Sequence, residues 1–186
     1  MKNPQILKVE KDLSIPWYEQ IRKTVLMPGE AEHQIFYSIK PSDYVAVLAH
    51  TTEGKIIIVR QFRPAIEDYT YELPSGHLEK GESPEQAIIR ELKEETNCSA
   101  KDVIMMGEIY PDTGRLENRQ WAFYADNVEI GHIPDPSENE GIEVHMVRPE
   151  ELCEMINSGR FNHALHLCVI ALAVSKNFFS FKCQNK

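Results

Sequence analysis

The stretch GHLEKGESPEQAIIRELKEETNC, residues 76–98, decides how this chain is read. Its second half carries the signals of a helix. Ser83 suits an N-cap, Pro84 the first helical position, and Gln86 completes a capping box. Asn97 suits the left-handed residue that ends a helix. At about 100° per residue, Arg90, Glu91, Glu94 and Glu95 fall on one side, and Ile88, Ile89 and Leu92 on the other. Together with Glu82, four carboxylates lie within fourteen residues. Two such charges about 5.5 Å apart repel by roughly 3 kcal/mol at an effective dielectric of about 20. A cluster lining a cleft therefore needs cations. Hard carboxylate oxygens select Mg²⁺ or Mn²⁺ over zinc or copper. A solvated helix face would tolerate the same charges, because exposed like-charge neighbours cost only about 0.2–0.5 kcal/mol per pair. Clustering alone leaves both readings open.

The spacing separates them. Gly76, five residues, Glu82, seven residues, then Arg90-Glu91-Leu92-Lys93-Glu94-Glu95 resembles the Nudix box. One position departs: the final Gly of the box is Asn97 here, with Cys98 in the last apolar place. Two flanking segments narrow the resemblance to the ADP-ribose and ADP-sugar pyrophosphatases of that family. Arg60-Gln61-Phe62-Arg63-Pro64 is similar to their Arg-Gln-Tyr-Arg-Pro, and Glu72-Leu73-Pro74-Ser75-Gly76 to their Glu-Leu-Pro-Ala-Gly. The resemblance implies that Glu91, Glu95 and the backbone carbonyl of Ser75 hold divalent ions, with Glu94 assisting. It implies that Glu82 orients Arg90 or the metal waters. It further implies that Arg63 and Glu72 face the substrate and that Mg²⁺ or Mn²⁺ is the cofactor.

Composition bounds the rest. A chain of 186 residues suffices for a full core, and 42% hydrophobic with 26% charged residues is ordinary for a globular protein. The net charge of −9 disfavours a nucleic acid polymer as partner. A metal-loaded acidic site still accepts a nucleotide, since the ion inverts the local field. Cys98, Cys153, Cys168 and Cys183 lack zinc or redox spacing, so free thiols in a reducing compartment are expected. The N-terminus lacks a signal-peptide core, and the apolar run 165–174 is too short to span a bilayer. A cytoplasmic protein without a membrane segment is expected.

Along the chain, residues 1–40 hold short alternating pieces around Ile15-Pro16-Trp17-Tyr18. This resembles the β-rich N-terminal segment of ADP-ribose pyrophosphatases, which swaps between subunits and supplies an adenine platform. Trp17 and Tyr18 are the stacking candidates, and a homodimer is implied. Residues 43–50 and 55–62 flank a Gly-containing turn and read as a hairpin. The run Ile56–Val59 reads as a strand buried on both faces. Later strands are expected at 103–110, 119–126 and 143–147, then a short helix at 149–158 and a buried helix at 164–179. Arg115, in the connection 111–115, is a phosphate candidate. There Asp112-Thr113-Gly114 replaces the family's Ser-Pro-Gly. The loop 133–141, with Glu138 and Glu140, resembles the acidic loop that supplies the catalytic base. His163 and His166 read as core or rim residues rather than ligands.

The fold expected is an α/β/α Nudix sandwich with a mixed sheet over residues 41–186, preceded by the β-rich segment 1–40. The activity expected is hydrolysis of a nucleoside diphosphate linked to another moiety, ADP-ribose or another ADP-sugar first, giving AMP and a sugar phosphate. Two alternatives use the same box. A nucleoside triphosphate house-cleaner would lack the N-terminal segment and the Arg-Gln-Phe-Arg-Pro strand. A non-catalytic nucleotide sensor would have lost a metal carboxylate, and none is lost here.

Overall fold

Ile56, Ile57, Ile58 and Val59 are fully buried in the computed structural model. They lie in the middle of a sheet covered by helices on both faces, which is what an unbroken apolar run requires. The structure describes residues 5–12, 18–138 and 141–181. Within 5–12 the described side chains are Leu7 and Lys8, and the Glu138 side chain is not among those described.

The strands are β1 (Gln5–Asp12), β2 (Glu19–Leu26), β3 (His33–Lys40), β4 (Tyr44–Thr51), β5 (Ile56–Arg63), β6 (Asp68–Glu72), β7 (Ser75–His77), β8 (Ile104–Ile109), β9 (Gln120–Val128) and β10 (Glu143–Val147). The helices are α1 (Pro84–Thr96), α2 (Pro149–Asn157) and α3 (Ala164–Ser175). They group into two compact units: Tyr44–Ile109 with Gln120–Lys186, and Met1–Asp43 with Tyr110–Arg119.

In the larger unit the strand order is β10-β5-β4-β9-β8, with β6 paired to β5 and β7 to β4. β4 and β9 run parallel, whereas β10–β5, β5–β6, β4–β7 and β8–β9 are antiparallel, so the sheet is mixed. Side chains alternate between faces along β4. Val45, Val47 and Ala49 meet Ala87, Ile88 and Leu92 of α1. Ala46 and Leu48 meet Leu152 and Met155 of α2 and Val169 and Ile170 of α3. The result is an α/β/α sandwich. β4 and β5 follow one another through the Thr51–Lys55 turn, but their register is the single pair His50↔Ile56. β4 instead lies along β9 and β7.

The smaller unit is an antiparallel sheet β1-β2-β3. The 110–119 segment joins it. Ile39 N–H donates to the Arg115 carbonyl at 2.8 Å, and Glu117 N–H to the Ile39 carbonyl at 2.9 Å. Ser38 and Lys23 both bond the Glu117 carboxylate.

Three expectations need correction. Ile89 is 40% exposed and does not share the buried face of α1 with Ile88 and Leu92. Its angle on the wheel puts it at the rim of the apolar stripe. The last helix stops at Ser175, and Cys168, Ala171 and Val174 face outward. Asn177 turns left-handed at φ 59°, and Phe178 and Phe179 fold back to donate to the Ala173 carbonyl. Phe179 is thereby buried and Phe178 stacks on Tyr124. Lastly, Cys98 and Cys168 are free, but Cys153 is disulfide-bonded. Spacing along the chain tests for local cysteine motifs and not for pairs that folding brings together. Among the described residues, no helix is long and apolar enough to cross a membrane.

Candidate active site

α1 is fixed at both ends by its sequence. Ser83 accepts from Gln86 N–H at 3.2 Å, and the Gln86 side chain accepts from Ser83 N–H at 2.9 Å. Asn97 closes the helix at φ 52° and ψ 21°. Its side chain donates to the His132 carbonyl at 2.8 Å, tying the helix end to the 131–132 loop. With Ile88 and Leu92 buried against the sheet, the other side of the helix turns Glu91 and Glu95 toward the chain around β7.

Gly76 is where that chain approaches most closely. A Cβ there would lie 2.0 Å from the Glu91 carboxylate, so any side chain would displace it. Ser75 N–H donates to Glu95 Oε2 at 2.9 Å. Val47 N–H donates to the Pro74 carbonyl, which makes Val47/Pro74 a hydrogen-bonded pair of the β4–β7 ladder. By antiparallel alternation Ala46/Ser75 is then a non-hydrogen-bonded pair. The N–H and C=O of Ser75 both point away from β4, to the edge where Glu95 sits.

Arg90 organises the other acids. Its Nε and Nη2 each donate to Glu82 at 3.0 Å, its Nη1 to Glu91 and Glu94 at 2.9 Å, and its Nη2 also to the His77 carbonyl at 3.1 Å. Those bonds use all five donors of a guanidinium. The Glu82 carboxyl is held below its usual range, first by its hydrogen bonds from Arg90. Glu91 is pushed up by burial, against the pull of Arg90. Glu95, 8% exposed, is pushed up to about 8 by burial, with the charges of Glu91 and Glu72 adding to the effect. The donors converging here are all oxygens, and two are desolvated carboxylates one helical turn apart. A hard divalent ion fits that set, because it relieves both desolvation and repulsion.

A second cluster adjoins the first. Glu72 is fully buried and takes a fork from Arg63, Nε at 2.6 Å and Nη2 at 2.5 Å, with Thr70 Oγ1 at 2.5 Å. Burial pushes the Glu72 carboxyl up, but the bonds from Arg63 and Thr70 outweigh it and leave it below its usual value. The Arg63 side chain remains 43% exposed, so its guanidinium is accessible. His166 is buried on this side, with its Nδ1 accepting from Leu73 N–H at 3.1 Å. His163 caps α3 and stacks on His166, ring centroids 3.9 Å apart.

The structure thus brings Ser75, Glu82, Arg90, Glu91, Glu94 and Glu95 together, with Arg63 and Glu72 close enough for their charges to act on Glu95. Tyr18 and Arg115 belong to the smaller unit. Arg115 lines a cleft of about 440 Å³ there with Phe36, Tyr37, Tyr110 and Lys23. Trp17 and Glu140 lie outside the described residues, as does the Glu138 side chain. Sequence reasoning passed over the bond that Leu73 N–H donates to His166. The hint was a His three residues after another at a helix start, facing an apolar helix interior.

An α/β/α sandwich carrying a glycine-apposed acidic helix is the architecture of a Nudix domain. The model of the NUDIX domain matches residues 40–167, and the chain belongs to that family. It is 38% identical over 121 residues to an ADP-ribose pyrophosphatase of Bacillus subtilis (strain 168), covering 64% of this chain and 65% of the relative. It is 56% identical over 53 residues to an ADP-sugar pyrophosphatase of Mus musculus, covering 28% of this chain and 24% of the relative. The matches thus span less than two thirds of these relatives' lengths. Among solved structures, that of an ADP compounds hydrolase superposes with a TM-score of 0.78 at 18% identity, covering 95% of both chains.

Proposed function

We propose that this protein hydrolyses the diphosphate of a nucleoside diphosphate linked to another moiety, ADP-ribose or another ADP-sugar first, releasing AMP and a sugar phosphate. The observation that carries the reading is the apposition of Glu91 and Glu95 to the Ser75-Gly76 backbone. The names of the relatives support the substrate class. Glu91, Glu95 and the Ser75 carbonyl hold Mg²⁺ or Mn²⁺, with Glu94 assisting. The bound ion would supply charge neutralisation on the diphosphate and a more acidic water.

The residues of the chain do the rest. Arg90, with its donors spent on Glu82, Glu91, Glu94 and the His77 carbonyl, fixes the ligands and does not reach for substrate. Glu82 locks Arg90. Arg63 offers its exposed edge to a phosphate, a task that suits a guanidinium fork. Buried Glu72 holds Arg63 in readiness. Glu138 or Glu140 takes the proton of the attacking water, whose oxygen bonds to phosphorus as the bridging P–O bond breaks. Trp17 or Tyr18 stacks the adenine, and Arg115 meets a phosphate. Residues 1–40 serve as the dimerisation and substrate segment of a homodimer, residues 41–186 as the catalytic domain. A nucleotide-sugar substrate goes with a cytoplasmic location.

The test is a panel of ADP-ribose, ADP-glucose, GDP-mannose and a deoxynucleoside triphosphate, assayed with Mg²⁺ and with Mn²⁺. The expected outcome is metal-dependent release of AMP with the highest kcat/KM on an ADP-sugar. A preference for the triphosphate would overturn the substrate class and leave the box chemistry standing. Light scattering that gives 21.4 kDa at micromolar protein would contradict the dimer.

A further inference from the structure

Leu73, Pro74 and Ser75 are held by three different elements. Leu73 N–H donates to His166 Nδ1 of α3 at 3.1 Å. The Pro74 carbonyl accepts from Val47 N–H of β4 at 3.0 Å. Ser75 N–H donates to Glu95 Oε2 of α1 at 2.9 Å. The Ser75 carbonyl follows directly after these anchors, on the edge away from β4. We propose that His166 is a positioning residue for that carbonyl, setting its aim at the divalent ion. This rests on reading Ser75 as a metal ligand.

A rival use of the same imidazole fails on its chemistry. One ligand atom from each of Glu72, His163 and His166 lies within 4.8 Å of the others, a spacing that would fit a metal. Yet His166 Nδ1 already accepts from Leu73 N–H, and His163 Nδ1 from His166 N–H at 3.4 Å. A neutral imidazole that accepts at Nδ1 carries its proton on Nε2. Neither ring then has a lone pair to give. Metal-bound histidines show the opposite pattern, donating through the second nitrogen. Both Glu72 oxygens are also engaged, one by Arg63 and Thr70 and the other by Arg63. The pair is therefore an acceptor system directed at backbone N–H groups.

The acceptor is well fixed. His166 is 3% exposed, and burial holds its pKa down at about 3, so the ring stays neutral. Its stack with His163, planes 21° apart, limits ring rotation. Leu73 is fully buried. Its N–H would be orphaned without the imidazole, and the segment would have to shift to satisfy it.

The experiment titrates Mn²⁺ by electron paramagnetic resonance onto the substrate-free full chain. His166→Leu should weaken Mn²⁺ by about ten-fold or more, as loss of a ligand-orienting partner does. His166→Asn, whose carboxamide oxygen can accept from Leu73 N–H, should recover most of that loss. Activity of His166→Leu should return toward wild type at saturating metal, since the ligands themselves remain. Wild-type Mn²⁺ affinity in a folded His166→Leu variant would overturn the proposal and leave the metal site standing. Failure of the wild type to bind Mn²⁺ would overturn both. Should His166→Leu not fold, the wild type still decides through long-range ¹⁵N–¹H spectra of the histidines. The Nε2–H tautomer of His166, with its Nδ1 and the Leu73 amide shifting together on adding Mg²⁺, is the expected result. An Nδ1–H tautomer would refute the inference.

Discussion

Arg90 and Glu95 stand five residues apart on one helix, and the acids around them live in opposite conditions. Glu82, Glu91 and Glu94 share one guanidinium whose five donors are all in use. Their charge is compensated by the fold itself, before any ion arrives. Glu95 is buried, accepts from the Ser75 N–H, and is pushed up to about 8. Glu91 belongs to both regions: it takes a bond from Arg90, yet burial still raises its pKa. The difference teaches where an ion acts. A cation gains little beside acids already paired, and gains most where a carboxylate is desolvated and repelled by its neighbours.

Breaking the Glu95 side should have the largest effect. Glu95→Gln should lower kcat/KM by about 10³-fold, the several kcal/mol that a lost Lewis acid represents. The same substitution has a signature in the metal-free protein. The folded pKa of about 8 lies above the ordinary 4.5, so the native state binds the extra proton between those values. Stability from this group is fully present below about 4.5 and is lost as pH rises through 8. Thermal melts in chelator should therefore find Glu95→Gln more stable than wild type at pH 9 and little different at pH 4. The reverse order would remove the argument for a strained carboxylate.

The base comes next. One of Glu138→Gln and Glu140→Gln should cost about 10²-fold or more in kcat with KM little changed, as loss of a general base does. Two near-normal variants would return the base to the box.

Gly76→Ala sharpens the comparison from the backbone side. The new Cβ overlaps the Glu91 carboxylate at 2.0 Å. That carboxylate ends a flexible side chain and can swing aside, so the melting temperature should change little. Activity should fall by about 10²-fold, the scale of a misplacement near 1 Å. Normal turnover in Gly76→Ala would mean that Glu91 is not held where the account needs it.

Breaking the Arg90 side at its rim should have the smallest effect. Glu94 is 59% exposed and pairs with Arg90 one turn away. Glu94→Gln should cost about 0.3–0.5 kcal/mol in stability, measured by urea denaturation. Its activity should stay well above that of Glu95→Gln. Equal losses would erase the distinction between the two regions.

Much of this was legible in the chain. The caps of α1 needed only Ser83, Pro84, Gln86 and Asn97, because capping is local chemistry. The run Ile56–Val59 announced a strand covered on both faces. The box spacing announced the family, and the family brings the α/β/α sandwich with it. What stayed hidden depends on distant chain. Nothing near Glu95 marks it as more buried than Glu94; that follows from the β6–β7 segment lying against it. The bond from Leu73 N–H to His166 joins residues 93 apart. The 110–119 segment groups with the N-terminal strands through Ile39 and Glu117, a pairing without a local signal.

The central claim is that the buried Glu95, together with Glu91, binds the ion, and that Glu94, paired with Arg90 at the rim, adds little. Mn²⁺ titrations at pH 8 on the substrate-free wild type, Glu95→Gln and Glu94→Gln test it most directly. The account predicts a site in the wild type that Glu94→Gln largely keeps and Glu95→Gln loses. Undiminished Mn²⁺ affinity in Glu95→Gln would contradict it.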